Sequence, residues 1–237
     1  MIRMPRGALL AATAYVLWGL SPIYWRLGDH VPAVDVVGFR VVATAFLLVA
    51  VAVVGRTLRR LRTLVAEPRA RLAVVFTAAL LAANWLTFVW AVNAERVLEA
   101  SLGYFINPLV NVLLGMVFLR ERLRPLQWAS IALATVGVAV MALRLGGLPV
   151  ISLVLAFSFG CYGLLRKTAA IGGMAGLTVE TGLLAPVAVG ALLFWDRGGE
   201  LVFAHQDRAT DWLLAASGAV TALPLIWFAN AARRLQY

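Results

Sequence analysis

LEASLGYFINPLVNVLLG, residues 98–115, decides how the rest of the chain is read. It carries one carboxylate, Glu99, and from Ala100 to Leu119 there are 20 residues without a charge. A helix of that length, at about 1.5 Å per residue, crosses the roughly 30 Å hydrocarbon core of a bilayer. Tyr104, Asn107, Pro108 and Asn111 stand in its middle, where a plain anchor would carry only Leu, Val or Ile. Polar groups at that depth need partners or a task, because lipid offers them no hydrogen bonds.

Outward from this stretch the pattern recurs. Apolar runs at Gly7–Trp25, Val36–Gly55, Leu72–Ala94, Pro125–Leu143, Leu145–Leu165, Ala175–Trp195 and Trp212–Ala232 are broken only by Arg40 in the second and Glu180 in the seventh. With Ala100–Leu119 they predict eight spanning helices, hence an all-α, polytopic integral membrane bundle. The composition agrees, since 62% of the 237 residues are hydrophobic and 14% charged, whereas soluble domains carry about 25% charged residues. The first run is too long for a signal-peptide core and lacks a small-residue cleavage site, so it is expected to remain as the first span.

The net charge of +10 raises nucleic acid as a partner, but no recognition motif accompanies it and the arginines sit between apolar runs. Membrane topology explains them better. With the N-terminus inside, 15 of the 21 Lys and Arg fall on one side, five on the other, and Arg40 lies within a span. Short basic loops stay cytoplasmic, which predicts a multi-pass inner-membrane protein with the N-terminus and residue 237 both cytoplasmic. The six Arg from Arg56 to Arg71 also suit anionic lipid, although topology alone accounts for them. The single Cys161 allows no internal disulfide and is read as a small core residue; His30 and His205 lack ligand spacing, and neither a metal nor a cofactor is expected.

Internal repetition is detectable. Trp18-Gly19-Leu20 resembles Tyr162-Gly163-Leu164 at an offset of 144, and the 16-residue loops 56–71 and 196–211 follow spans two and seven at an offset of 140. Trp90-Ala91, Ala94 and Arg96 fall against Phe228-Ala229, Ala232 and Arg234 at an offset of 138. A five-span unit repeated in order is inserted upside down the second time, because five is odd. The expected division is residues 1–144 as the first repeat of five helices and 145–237 as an incomplete second repeat of three. The counterpart of Ser101 would fall at position 239, past Tyr237.

These features resemble the EamA-type drug/metabolite transporter superfamily and, within it, the RarD group. The resemblance spans the whole chain and is most specific in Asn84-Trp85-Leu86, Trp90-Ala91-Val92-Asn93, Leu98 to Asn111, and Ala156-Phe157-Ser158-Phe159. It implies an inner-membrane permease of ten helices in two inverted five-helix repeats. By its apolar runs this sequence is expected to carry eight of those spans, without the ninth and tenth.

Depth along each helix selects the candidate site. Trp18, Asn84, Trp85, Asn111 and Ser158 fall within a few ångströms of the midplane at about 1.5 Å per residue, and Tyr104 and Asn107 lie on its outer side. Tyr104, Asn107 and Asn111 share one helical face, and Pro108 removes a backbone hydrogen bond beside them. The plainer reading makes the two Asn interhelical glue, each contributing about 0.6 kcal/mol. Arg40, five residues into span two, is read as a gate exchanging between Glu99 and an anionic substrate group, against a purely structural Arg40–Glu99 bridge or snorkelling to the interface. Glu180 is a candidate proton or cation carrier, against a solvated interfacial carboxylate. Trp25 beside Arg26 is read as an interface anchor.

The expected function is secondary transport of a small metabolite or drug by alternating access at the repeat interface. Trp18, Arg40, Asn84, Trp85, Tyr104, Asn107, Asn111 and Ser158 are the candidate binding residues, and Arg40, Glu99 and Glu180 the gate or coupling groups. An enzyme is not expected, since HExxH, DxxD and GxSxG are absent, and no P-loop pattern requires a nucleotide. The alternative is a non-transporting membrane subunit that binds a partner. Expected partners are the bilayer and an unidentified small molecule, with proton or cation coupling and homo-oligomerisation left open.

Overall fold

The computed structural model describes residues 6–55, 61, 66–144, 149–169, 171–197, 203 and 207–235. Eight long helices are found there: α1 (Arg6–Arg26), α2 (Ala33–Val54), α3 (Pro68–Asn93), α4 (Val97–Leu119), α5 (Pro125–Arg144), α6 (Val150–Thr168), α7 (Gly173–Arg197) and α8 (Arg208–Leu235). No strand occurs among the described residues. Seven of the helices, α2 to α8, are long and apolar enough to cross a membrane, and α1 is a helix where the first span is expected. The chain is a multi-pass helical membrane protein. His205 and the loop residues 56–60 and 62–65 lie outside the described residues.

Two compact units form, one from residues up to Val74 with Ile171 onward, the other from Val75 to Ala170. Each draws helices from both sides of the repeat boundary expected at residue 144. A repeat describes sequence and symmetry, whereas these units describe which helices touch, so the grouping leaves the repeat as a proposal.

In the first unit, α2 packs against α7 and α8, and α1 against α8. The close approach of α2 to α8 depends on Gly218: a Cβ built there would lie 2.4 Å from the carbonyl carbon of Ala43 and 2.7 Å from the nitrogen of Thr44. Small residues let backbones meet in this way where lipid supplies no hydrophobic drive between helices. At the start of α8, the Thr210 backbone N–H donates to Asp207 Oδ1 at 2.8 Å and its hydroxyl to Oδ2 at 3.0 Å, an N-terminal cap. The Thr210 N–H and hydroxyl hold the Asp207 carboxyl below the usual carboxylate range. His30 Nε2 lies 3.1 Å from Thr210 Oγ1, and the Tyr24 hydroxyl donates to the Leu213 carbonyl. These contacts make α1 antiparallel and α2 parallel to α8, the directions that alternating crossings require.

In the second unit, α4 and α6 run parallel and share a core of Leu102, Ile106, Val110, Leu114 and Ala156. Cys161 packs against that core, partly buried. Helix α4 ends with Arg120 at φ 55°, and the Glu121 N–H donates to the Gly115 carbonyl at 3.1 Å, a left-handed closure of the last turn. Glu121 then pairs with Lys167 at 2.7 Å. Helix α5 buries none of its residues, which suits a surface turned to lipid.

Candidate functional site

The second unit brings two of the expected midplane residues together. Asn84 Nδ2 on α3 donates to Ser158 Oγ at 2.9 Å and to the Leu155 carbonyl at 3.1 Å, and Ser158 Oγ donates to the same carbonyl at 3.1 Å. Both amide hydrogens of Asn84 are therefore committed to α6, and the pair clamps α3 to α6. Trp85 is buried beside it. Of the polar midplane groups, Asn84 and Ser158 accordingly fit the plainer role of interhelical glue.

Tyr104, Asn107 and Asn111 differ. They lie beside the α4 face that packs on α6, with Tyr104 62% exposed and touching Phe88 edge-on at a centroid distance of 6.0 Å. Asn111 is exposed and Asn107 half-buried. The buried Oδ1 of Asn107 accepts no hydrogen bond among the described residues. One residue on, Pro108 has no N–H to offer the Tyr104 carbonyl. Asn107 thus stands on the turn where this proline interrupts a helix long and apolar enough to cross a membrane.

Outside the bilayer core of this unit, Arg96 Nε meets Glu99 Oε1 at 2.6 Å, and the Arg96 guanidinium lies 5.9 Å from the Trp90 ring centre. The Glu99 backbone carbonyl accepts from Ser152 Oγ at 2.6 Å. Glu99 is therefore paired with the residue that precedes its own helix, a contact missed in the sequence although the three-residue spacing could have shown it.

In the first unit, the Arg40 guanidinium lies 4.9 Å from the centre of the Trp25 ring. Trp25 is only 6% exposed, which corrects its reading as an interface anchor: the ring is held inside as a face for the cation. Glu180 is wholly buried in α7, so a solvated interfacial carboxylate does not describe it. Trp18 is half-buried and meets Tyr15 edge-on at 5.6 Å. Trp18, Arg40 and Glu180 belong to the first unit, and Asn84, Trp85, Glu99, Tyr104, Asn107, Asn111 and Ser158 to the second. Among the described residues no group of three or more His, Cys, Asp or Glu could hold a metal ion.

Known proteins are similar to this chain in sequence. The EamA-like transporter family matches residues 5–143. An uncharacterized transporter of Pseudomonas aeruginosa is 47% identical over 234 residues, covering 98% of this chain and 78% of that protein. The RarD proteins of Salmonella typhi and Escherichia coli K12 are 44% and 43% identical over 231 residues, covering 98% of this chain and 79% and 78% of theirs. No solved structure matches. With a family match over more than half its length and relatives this similar along nearly all of it, the chain belongs to the EamA-like transporter family, in its RarD group.

Proposed function

We propose that this membrane transporter carries a small metabolite or drug by alternating access at the interface of two inverted repeats, without enzymatic chemistry. One observation carries the substrate site: the buried Asn107 oxygen accepts no hydrogen bond among the described residues. Buried acceptors are costly unless something donates to them. The substrate class this favours bears hydroxyl, amide or ammonium donors, with Tyr104 and Asn111 flanking it. Asn84, Trp85 and Ser158 serve the same unit chiefly through packing, and Trp18 lies in the other unit. The test is uptake and efflux of donor-rich compounds by the wild type and by Asn107→Leu, argued in the Discussion.

The positive-inside distribution supports insertion in the inner membrane with cytoplasmic termini. In the proposed cycle Arg40 is the outer gate, leaving the Trp25 ring for an anionic group of the substrate. Arg40→Gln keeps the length of the polar side chain but loses the charge. Uptake is expected to fall at least tenfold for the transported compound, and unchanged uptake would remove the gate.

Glu180 is the proposed coupling carboxylate. A charge so deep in a bundle marks an ion or proton path more often than an accident of packing. Glu180→Gln is expected to leave substrate binding intact and to flatten the dependence of transport on external pH between about 5 and 8. A pH profile parallel to that of the wild type excludes the coupling role.

A further inference from the structure

Three contacts close the end of the first unit where α1 finishes and α2 and α8 begin. The Tyr24 hydroxyl donates to the Leu213 carbonyl. Gly28 leaves room for the Leu213 side chain, whose Cδ2 would lie 3.1 Å from a Cβ built there. His30 Nε2, on the turn between α1 and α2, lies 3.1 Å from Thr210 Oγ1. The α1–α2 turn is thus held on the first two turns of α8.

Proton positions along the third contact follow from the chemistry of its members. Asp207 takes the Thr210 backbone N–H on Oδ1 at 2.8 Å and the Thr210 hydroxyl on Oδ2 at 3.0 Å. A hydroxyl has a single hydrogen, and the carboxylate holds it against a neutral imidazole, because charge-assisted hydrogen bonds are roughly twice as strong. Thr210 Oγ1 can then only accept, so His30 Nε2 carries the hydrogen and donates it. The neutral ring keeps its lone pair on Nδ1, which stands 3.7 Å from Asp29 Oδ1. Two electron-rich atoms face each other there until a proton arrives at Nδ1. The His30 side chain is 46% exposed, so water can deliver that proton.

We propose that His30 is a proton-operated clasp: protonation at Nδ1 places a cation between Asp29 and the Thr210–Asp207 pair and tightens the α1–α2 turn on α8. The imidazolium pairs with Asp29 and gives Thr210 a charge-assisted hydrogen bond. Imidazole ordinarily titrates at about pH 6.5 and aspartate at about 3.9, and the Thr210 N–H and hydroxyl hold Asp207 below that range. Both carboxylates are therefore anionic while the ring gains its charge. The other ionisable groups towards this end of the three elements are Tyr24 and Arg26 on α1, Asp35 and Arg40 on α2, and Arg208 and Asp211 on α8. The turn joins the helices that carry Trp25 and Arg40, whose ring and guanidinium meet at 4.9 Å, so a tightened clasp holds the two sides of the proposed gate together. That consequence rests on the gate reading; the clasp itself does not.

The test is hydrogen exchange of the backbone amides of residues 27–31 in the purified full chain in detergent, at about pH 5.5 and about pH 8, either side of the imidazole range, each rate divided by the intrinsic rate at that pH. The Val31 N–H donates to the Gly28 carbonyl at 3.0 Å and the Gly28 N–H to the Trp25 carbonyl at 3.2 Å, so these amides exchange when the turn opens. The wild type is expected to protect them roughly threefold more at the lower pH, as suits a partly exposed ion pair. His30→Gln, which keeps a neutral N–H donor, and Thr210→Val are expected to abolish the difference, and Thr210→Ser, which restores the hydroxyl, to retain it. Equal protection at both pH values in the wild type overturns the clasp, as does a difference that survives His30→Gln and so belongs to another group such as Asp35. Normal uptake by Arg40→Gln together with an intact pH difference in exchange removes the gate and keeps the clasp.

Discussion

Gly218→Ala is expected to lower the unfolding midpoint in detergent by roughly 4–10 °C, the largest stability loss of any single methyl group added to the described helices. The new Cβ would sit 2.4 Å from one backbone atom and 2.5 Å from the Ala43 Cβ, and a backbone cannot rotate out of the way as a side chain can. Helices α2 and α8 must separate, losing contacts along their length. Overpacking of this kind costs about 1–3 kcal/mol or more, and the gain of about 1 kcal/mol in helix propensity does not offset it. Gly160→Ala supplies the contrast. There the nearest atoms are Val110 Cγ1 at 2.7 Å and Leu114 Cδ1 at 3.2 Å, both ends of movable side chains, so a smaller loss is expected. Equal midpoints for the two variants would mean that α2 and α8 do not meet backbone to backbone.

The contrast between these glycines marks how far the sequence could be read. Length and hydropathy predict the helices well, because crossing a bilayer fixes both: Ala100–Leu119 becomes α4 over Val97–Leu119, and Pro125–Leu143 becomes α5 over Pro125–Arg144. Depth counting also brings Asn84 to Ser158, since helices of similar tilt bring residues of equal depth to the same level. Rotation about each helix axis is another matter. It is set by which small residue admits which neighbour, and nothing in the runs of Leu, Ala and Val separates Gly218, pressed on Ala43, from Gly19, with nothing within 4 Å. For the same reason Trp25 reads as an interface anchor until its ring is seen under Arg40, and Thr44 and Thr221 carry no signal until their hydroxyls are found without partners.

Asn107→Leu is expected to reduce transport roughly 10- to 100-fold while leaving the unfolding midpoint unchanged or slightly raised. The two halves of this expectation have one cause. In the folded protein the Asn107 oxygen accepts nothing among the described residues, so replacing the amide by an apolar group of similar size removes a desolvation cost and breaks no bond. Stability should not suffer. In the loaded transporter the same oxygen would receive a hydrogen bond from substrate, worth about 1.5–3 kcal/mol if the donor is charged, and each 1.4 kcal/mol is tenfold in affinity. Asn84→Leu should do the reverse: it removes the two amide hydrogen bonds to the Leu155 carbonyl and the Ser158 hydroxyl and lowers the midpoint, with transport falling only as folded protein is lost. Uptake normalised to folded protein separates the two residues. If Asn107→Leu transports normally, or if its loss of uptake matches its loss of folded protein, Asn107 belongs with Asn84 as packing, and the substrate site must be sought on another face of the bundle.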